Sequence, residues 1–153
     1  MRRSYFRPVE GAPSPLRLTV NRRVRFEELD AMSIVWHGRY PSYFEDGRVA
    51  LGRLYGIGYS DFIREQVPVP VRQMQIDYHH PLRFEEDFQI NTILHWSETT
   101  RINFEYVIHS AQGHLVCTGC TVQLMLDHDL NVLLTPPPFF AAFLERWKQG
   151  DLA

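Results

Sequence analysis

Four consecutive runs of strand character follow a single long helical stretch in this chain, and that imbalance limits its fold more than any other feature. The runs are PVPVRQMQIDYHH, DFQINTILHWS, TRINFEYVIHSA and HLVCTGCTVQLMLDHD. Period-two alternation is clearest at Phe88, Ile90, Thr92, Leu94 and Trp96, and again at Ile102, Phe104, Tyr106 and Ile108. The last two runs are joined by AQGH, a short glycine-containing connection of the kind that closes an antiparallel hairpin. Before them, from Tyr40, apolar residues fall at 40, 43, 44, 51, 54 and 55, with Gly47, Ala50 and Gly52 between. That is helical spacing, with small residues where another element packs close. Pro41 suits a first helical turn, and Gly56 and Gly58 end the stretch. One helix cannot cover both faces of such a sheet. The arrangement that buries most is an α+β fold, a single antiparallel sheet of about five strands wrapped around the helix, its remaining apolar surface facing a partner.

The other segments fit around this frame. Residues 18–28, LTVNRRVRFEE, alternate loosely and suit a first strand. SDFIREQ suits a short second helix with Ser60 as its N-cap, and FFAAFLERWKQ, after three prolines, an amphipathic C-terminal helix. Residues 1–17, basic and rich in proline, read as a flexible or loosely docked lead-in to one domain spanning 18–149. The full 153 residues suffice for a core that buries roughly 70% of the unfolded surface without a metal or disulfide staple. A net charge of −2 gives no electrostatic reason to expect nucleic acid or a membrane as partner. No stretch has the length of a membrane span or the apolar core of a signal peptide, so a cytoplasmic location is the default expectation. The single pair of cysteines, Cys117 and Cys120, lies in a strand where positions three apart face opposite sides; they read as small core residues, not metal ligands. Adjacent His79 and His80 point oppositely for the same reason, and no metal or other cofactor is expected.

The stretch that departs from generic globular sequence is ELDAMSIVWHGRY, residues 28–40. An acid, Asp30, precedes the apolar run Ile34, Val35 and Trp36, then His37, Gly38 and the helix start. A loop that only connected two elements would not need so many bulky apolar residues. A carboxylate there can act as a general base toward water or as a nucleophile, and apolar neighbours such as Met32, Ile34 and Val35 would make it more basic. A helix N-terminus offers free N–H groups and a favourable dipole to a developing oxyanion. The bland reading of Asp30 is an acid that caps a turn.

This loop, in this order of elements, resembles the hotdog fold, and more closely the 4-hydroxybenzoyl-CoA thioesterase-like branch, which includes small acyl-CoA thioesterases associated with the Tol–Pal system. The likeness runs from Asp30 through Ala31-Met32-Ser33, Ile34-Val35, Trp36, His37 and Tyr40, continues in YFEDGRVALGRL, and resumes at VRQMQIDYHHPLRFEED with its Tyr-x-x-Pro. It covers about Val20 to Trp147. One departure is plain: many members carry glycine at the position of Ser33 and often at Met32, where it allows positive φ or close approach to the thioester.

The resemblance implies hydrolysis of a short-chain or aromatic acyl-CoA (or acyl-carrier-protein) thioester by a homodimer or homotetramer, with the acyl chain running between subunits. Asp30 is then the catalytic carboxylate, as general base or nucleophile, and the backbone N–H of His37 polarises the thioester carbonyl. Trp36, Gly38 and Tyr40, around the helix start, are candidate substrate contacts, with core packing the competing reading for Trp36 and Tyr40. Thr99, Thr100 and Arg101, at the start of a strand, are candidate contacts for the CoA phosphates, with Arg72 and Arg83 also available. Glu45 reads as a solvated or dimer-bridging residue. Two other classes stay open: a hydratase or dehydratase acting on an acyl thioester, and a non-catalytic acyl-CoA-binding protein.

Overall fold

The computed structural model describes residues 2–152. Its elements are β1 (Leu16–Arg23), α1 (Tyr40–Tyr55), α2 (Tyr59–Arg64), β2 (Val71–Tyr78), β3 (Asp87–His95), β4 (Arg101–Ser110), β5 (Leu115–Leu124) and α3 (Pro138–Lys148). The five strands form one sheet in the order β1-β3-β4-β5-β2, with every neighbouring pair antiparallel. α1 lies in the sheet's concave face. This is the wrapped α+β sheet that the element order implied, and the hotdog arrangement that the resemblance implied.

Register explains how the helix is seated. Ile102, Phe104, Tyr106 and Ile108 of β4 stand opposite Gln123, Thr121, Gly119 and Cys117 of β5, and Leu94, Thr92, Ile90 and Phe88 of β3 flank them. All share the face toward α1, because side chains alternate along a strand. From α1, Tyr40, Tyr43, Phe44 and Leu51 are buried against that face. Phe44 stacks on Tyr106, ring centroids 4.1 Å apart and planes 7° from parallel. Gly119 makes room for the stack, since a Cβ there would come within 2.6 Å of the Phe44 ring. Gly47 lets the helix backbone settle onto Thr92 in the same way. Arg48 enters this core too, and its guanidinium donates to the Tyr106 hydroxyl at 3.2 Å and the Tyr59 hydroxyl at 3.3 Å.

Three local expectations need correction. β1 ends at Arg23, and Phe26–Glu28 forms a turn of 3-10 helix instead of continuing the strand. Phe26 is exposed and packs edge-on against Phe84, so its apolar character marks a surface pair. The N-cap of α2 is Gly58, not Ser60, and Asp61 accepts the Gly58 N–H at 2.9 Å. Leu54, placed on the buried face by spacing, is exposed.

The convex face of the sheet is also covered at its centre. Ser4 donates to Glu105 at 2.6 Å, Tyr5 bonds the carboxylate of Asp77 and the hydroxyl of Thr118, and the Phe6 ring packs on His95. Residues 2–6, part of the expected lead-in, thus lie across β3, β4, β5 and β2 on the side away from α1. Further along, the Trp147 indole of α3 donates to the Ser14 carbonyl at 2.9 Å. Cys117 and Cys120 are both free and buried, one on each face of β5.

Candidate active site

The loop between Leu29 and Trp36 is held as a narrow hairpin against the segment leading into β3. Leu29 bridges Val35 and Ile34 bridges Arg83, while the Val35 N–H donates to Leu82 and the Trp36 N–H to Glu28, both at 2.9 Å. Within it the Asp30 N–H donates to Ile34, and Ser33 donates back to the Asp30 carbonyl at 3.0 Å. Asp30 does cap this turn: its Oδ1 accepts the Met32 N–H at 2.8 Å. Oδ2 has no hydrogen-bond partner among the described residues, so half of the carboxylate is left for other work. Ser33 holds a φ of 61°, the left-handed conformation in which the resembling proteins often place glycine.

Asp30 lines a cleft of about 310 Å³ together with Met32, Ile34, Val35, His37, Tyr40, Tyr78, His79, His80 and Pro81. Its walls are mostly apolar and aromatic. Val35 and Tyr40 are buried, whereas Met32 is 71% exposed at the rim. The greasy residues around Asp30 therefore form one wall and a lip, not an enclosure. The Tyr78 ring meets Tyr40 edge-on at 5.1 Å and His37 at 6.4 Å. Burial raises the phenol pKa of both Tyr40 and Tyr78, so both are protonated donors at neutral pH. Beneath them, burial pushes the Cys117 thiol up to about 12, which leaves it without thiolate character.

His37–Arg39 forms a 3-10 turn that runs directly into α1. The Arg39 N–H donates to the Trp36 carbonyl at 2.9 Å, and the Tyr78 hydroxyl donates to the His37 carbonyl at 2.7 Å. Neither the His37 nor the Gly38 N–H has a partner among the described residues. Two consecutive peptides thus have their carbonyls held and their N–H groups free. Trp36, 48% exposed, lays its ring across Gly38 so closely that no side chain fits there.

Of the residues singled out from sequence, Asp30, His37 and Tyr40 meet in this cleft, and Trp36 and Gly38 adjoin it. Thr99 and Arg101 line a separate surface cavity of about 400 Å³ with Phe6, Arg7, Trp96 and Asn103, and it shares no residue with the Asp30 cleft. Thr100 is buried and its hydroxyl donates to the Leu133 carbonyl at 2.8 Å, so its side chain is committed inside the fold. Glu45 is exposed and lines neither cavity. Sequence reading passed over Tyr78, His79, His80 and Pro81 as wall residues. The Tyr-x-x-Pro run that carries them was visible, but nothing local brings the end of β2 to a loop some 45 positions earlier. No group of three or more histidine, cysteine or acidic side chains among the described residues is placed to hold a metal.

The fold and the cleft at the helix start agree with the class of protein that comparison with known proteins shows, a thioesterase of the hotdog type. The chain belongs to the thioesterase-like superfamily, whose model matches residues 24–144. It is 30% identical over 106 residues to the putative acyl-CoA thioesterase YneP of Bacillus subtilis, covering 69% of this chain and 77% of that protein. It is 28% identical over 94 residues to the acyl-CoA thioester hydrolase YbgC of Escherichia coli, covering 61% and 70%. In three dimensions it is similar to the DHNA-CoA thioesterase of Staphylococcus aureus, with a TM-score of 0.78 at 21% identity over 88% of this chain and 91% of that one, a likeness of fold.

Proposed function

We propose that this protein is an acyl-CoA thioesterase that hydrolyses a short-chain or aromatic acyl thioester, with Asp30 as general base or nucleophile and the His37 N–H as oxyanion donor. The observation that carries the reading is that Asp30 and His37 line one cleft, with Asp30 Oδ2 and the His37 N–H both unbonded among the described residues. A free carboxylate oxygen can polarise water or attack the carbonyl; an unbonded N–H can take the oxygen that becomes negative. The cleft volume lies at the small end of ligand pockets, and its Tyr40, Tyr78 and His37 rings suit a flat or short acyl group. The similarity to YneP and YbgC supports a CoA thioester as substrate.

The proposal includes a homodimer. β2 is an edge strand, eight residues long, with no partner on its outer side among the described residues. Met74, Ile76 and Tyr78 stand opposite Thr121, Gly119 and Cys117 on the concave side, yet Met74 and Tyr78 are exposed beyond the reach of α1. An edge with apolar side chains invites pairing with a second copy. Thr99 and Arg101 are kept as contacts for CoA phosphates, which they would reach only across such an assembly.

The test is release of free thiol from acetyl-, hexanoyl-, benzoyl- and palmitoyl-CoA by the wild-type protein and by Asp30→Asn. Release that drops by at least about 10²-fold in the variant, with fold retained, is the expected result. Undiminished release in the variant would move the chemistry away from Asp30, and no release from any substrate by the wild type would refute CoA thioester hydrolysis for this range.

A further inference from the structure

Among the described residues, Tyr78 is the one side chain that reaches from the sheet to hold the backbone of the helix start. Its hydroxyl donates to the His37 carbonyl at 2.7 Å, a bond between the last residue of β2 and the turn that opens α1. That carbonyl belongs to the peptide whose N–H is Gly38's. The preceding peptide is fixed by the chain itself, through the Arg39 N–H on the Trp36 carbonyl, and leaves the His37 N–H free. The second peptide lies inside the 3-10 turn His37–Arg39, and its carbonyl takes the Tyr78 phenol from the sheet. Among the described residues the phenol is the one side chain bonded to this peptide; it adds to the turn's hold on the peptide plane, and accepting that bond also polarises the amide, making the Gly38 N–H a stronger donor. The Trp36 ring packed over Gly38 closes the opposite side and forbids a side chain there.

We propose that Tyr78 is a positioning residue for thioester hydrolysis: by holding the His37 carbonyl it aims the Gly38 N–H at the oxyanion, so that two adjacent N–H groups, not one, receive the developing charge. The inference rests on the thioesterase reading above. It gives the Tyr78 hydroxyl a role beyond the cleft wall that its ring forms. The phenol acts through the peptide and does not touch the substrate's reacting atoms. Because burial raises its pKa, the hydroxyl stays a donor across the neutral range.

The deciding comparison is Tyr78→Phe against wild type and Asp30→Asn, with kcat, KM and thermal stability measured on the full chain with the best substrate of the thiol-release panel. Phenylalanine keeps the ring against Tyr40 and His37 and removes only the hydroxyl. A donor present only for the transition state affects kcat, not KM. The expected result is a kcat lowered by about tenfold, less than for outright loss of an oxyanion donor, with KM and melting temperature unchanged. Wild-type kcat in Tyr78→Phe, with Asp30→Asn inactive, would overturn the inference and leave the thioesterase reading standing. A raised KM or a lowered melting temperature at unchanged kcat would leave Tyr78 a wall residue and nothing more, and overturn it equally. Full activity in Asp30→Asn would remove the underlying reading, and the inference with it.

Discussion

Ser33 is the residue at which this chain departs from the glycine its relatives often use, yet its backbone keeps the left-handed φ of 61°. The turn is imposed by its neighbours: the Ser33 N–H on the Asp30 carbonyl and the Asp30 N–H on Ile34 leave no other path. A serine held there stores on the order of 1 kcal/mol of strain. Replacing Ser33 with glycine relieves it, less the entropy glycine adds to the unfolded chain. Ser33→Gly should therefore raise the melting temperature by about 1–3 °C with thiol release intact, as a thermal scan alongside the activity assay will tell. The departure was legible in the sequence; that the loop keeps its shape was not, because the hydrogen bonds responsible are made by residues with no conformational signature of their own. Asp30 is a related case. Sequence posed turn cap against catalyst as alternatives, and the two carboxylate oxygens divide the roles, Oδ1 capping and Oδ2 left free.

Elements were legible in proportion to how evenly they are buried on one face. β3 and β4 alternate inner apolar residues over their whole length, and the helix spacing from Tyr40 marked α1 at its first residue. Where apolar residues serve a surface pair, as Phe26 does with Phe84, the pattern misled. The wall of the cleft was legible only in its local half, from Asp30 to Tyr40. Tyr78 to Pro81 arrive from the far edge of the sheet, and no periodicity reports which strand end meets which loop. The same edge carries a prediction. Antiparallel self-pairing centred on β2 brings the two copies of Met74 near each other across the twofold axis. Met74→Lys places like charges there, with a penalty of several kcal/mol. Sedimentation should find the wild type dimeric and the variant monomeric at the same micromolar concentration; a variant that stays dimeric would exclude this edge as the interface.

Across the whole molecule, the two faces of the sheet are buried by different means: α1 on one, and on the other a short N-terminal strip that closes over Glu105. That carboxylate is 1% exposed and takes Ser4 at 2.6 Å, Arg2 at 2.5 Å and His95 at 2.8 Å. Burial by itself would raise its pKa, but the bonds from His95, Ser4 and Arg2 outweigh burial and hold it at about 2. In the unfolded chain the same group titrates near its ordinary value of 4.5. A lowered folded pKa gives stability that is whole above the unfolded value and lost as pH falls toward the folded one. Melting temperatures measured from pH 7 to pH 2 should therefore drop through that window in the wild type. Glu105→Gln should start lower at pH 7 and converge with the wild type near pH 2; parallel curves would show that Glu105 does not govern acid stability.

The strand order has one more consequence, in the sequence of events by which the chain finds its fold. β3, β4 and β5 are neighbours in the chain as well as in the sheet, whereas β1 pairs with β3 across α1, α2 and β2, and β2 pairs with β5 across β3 and β4. Closing a long loop costs entropy before its contacts form, so the three-strand meander is favoured to organise first and the edges to dock onto it. The cleft needs both latecomers, the loop that follows β1 and the end of β2. Its walls come together only as the last strands arrive, and a chain arrested with the meander alone would have a sheet and no site.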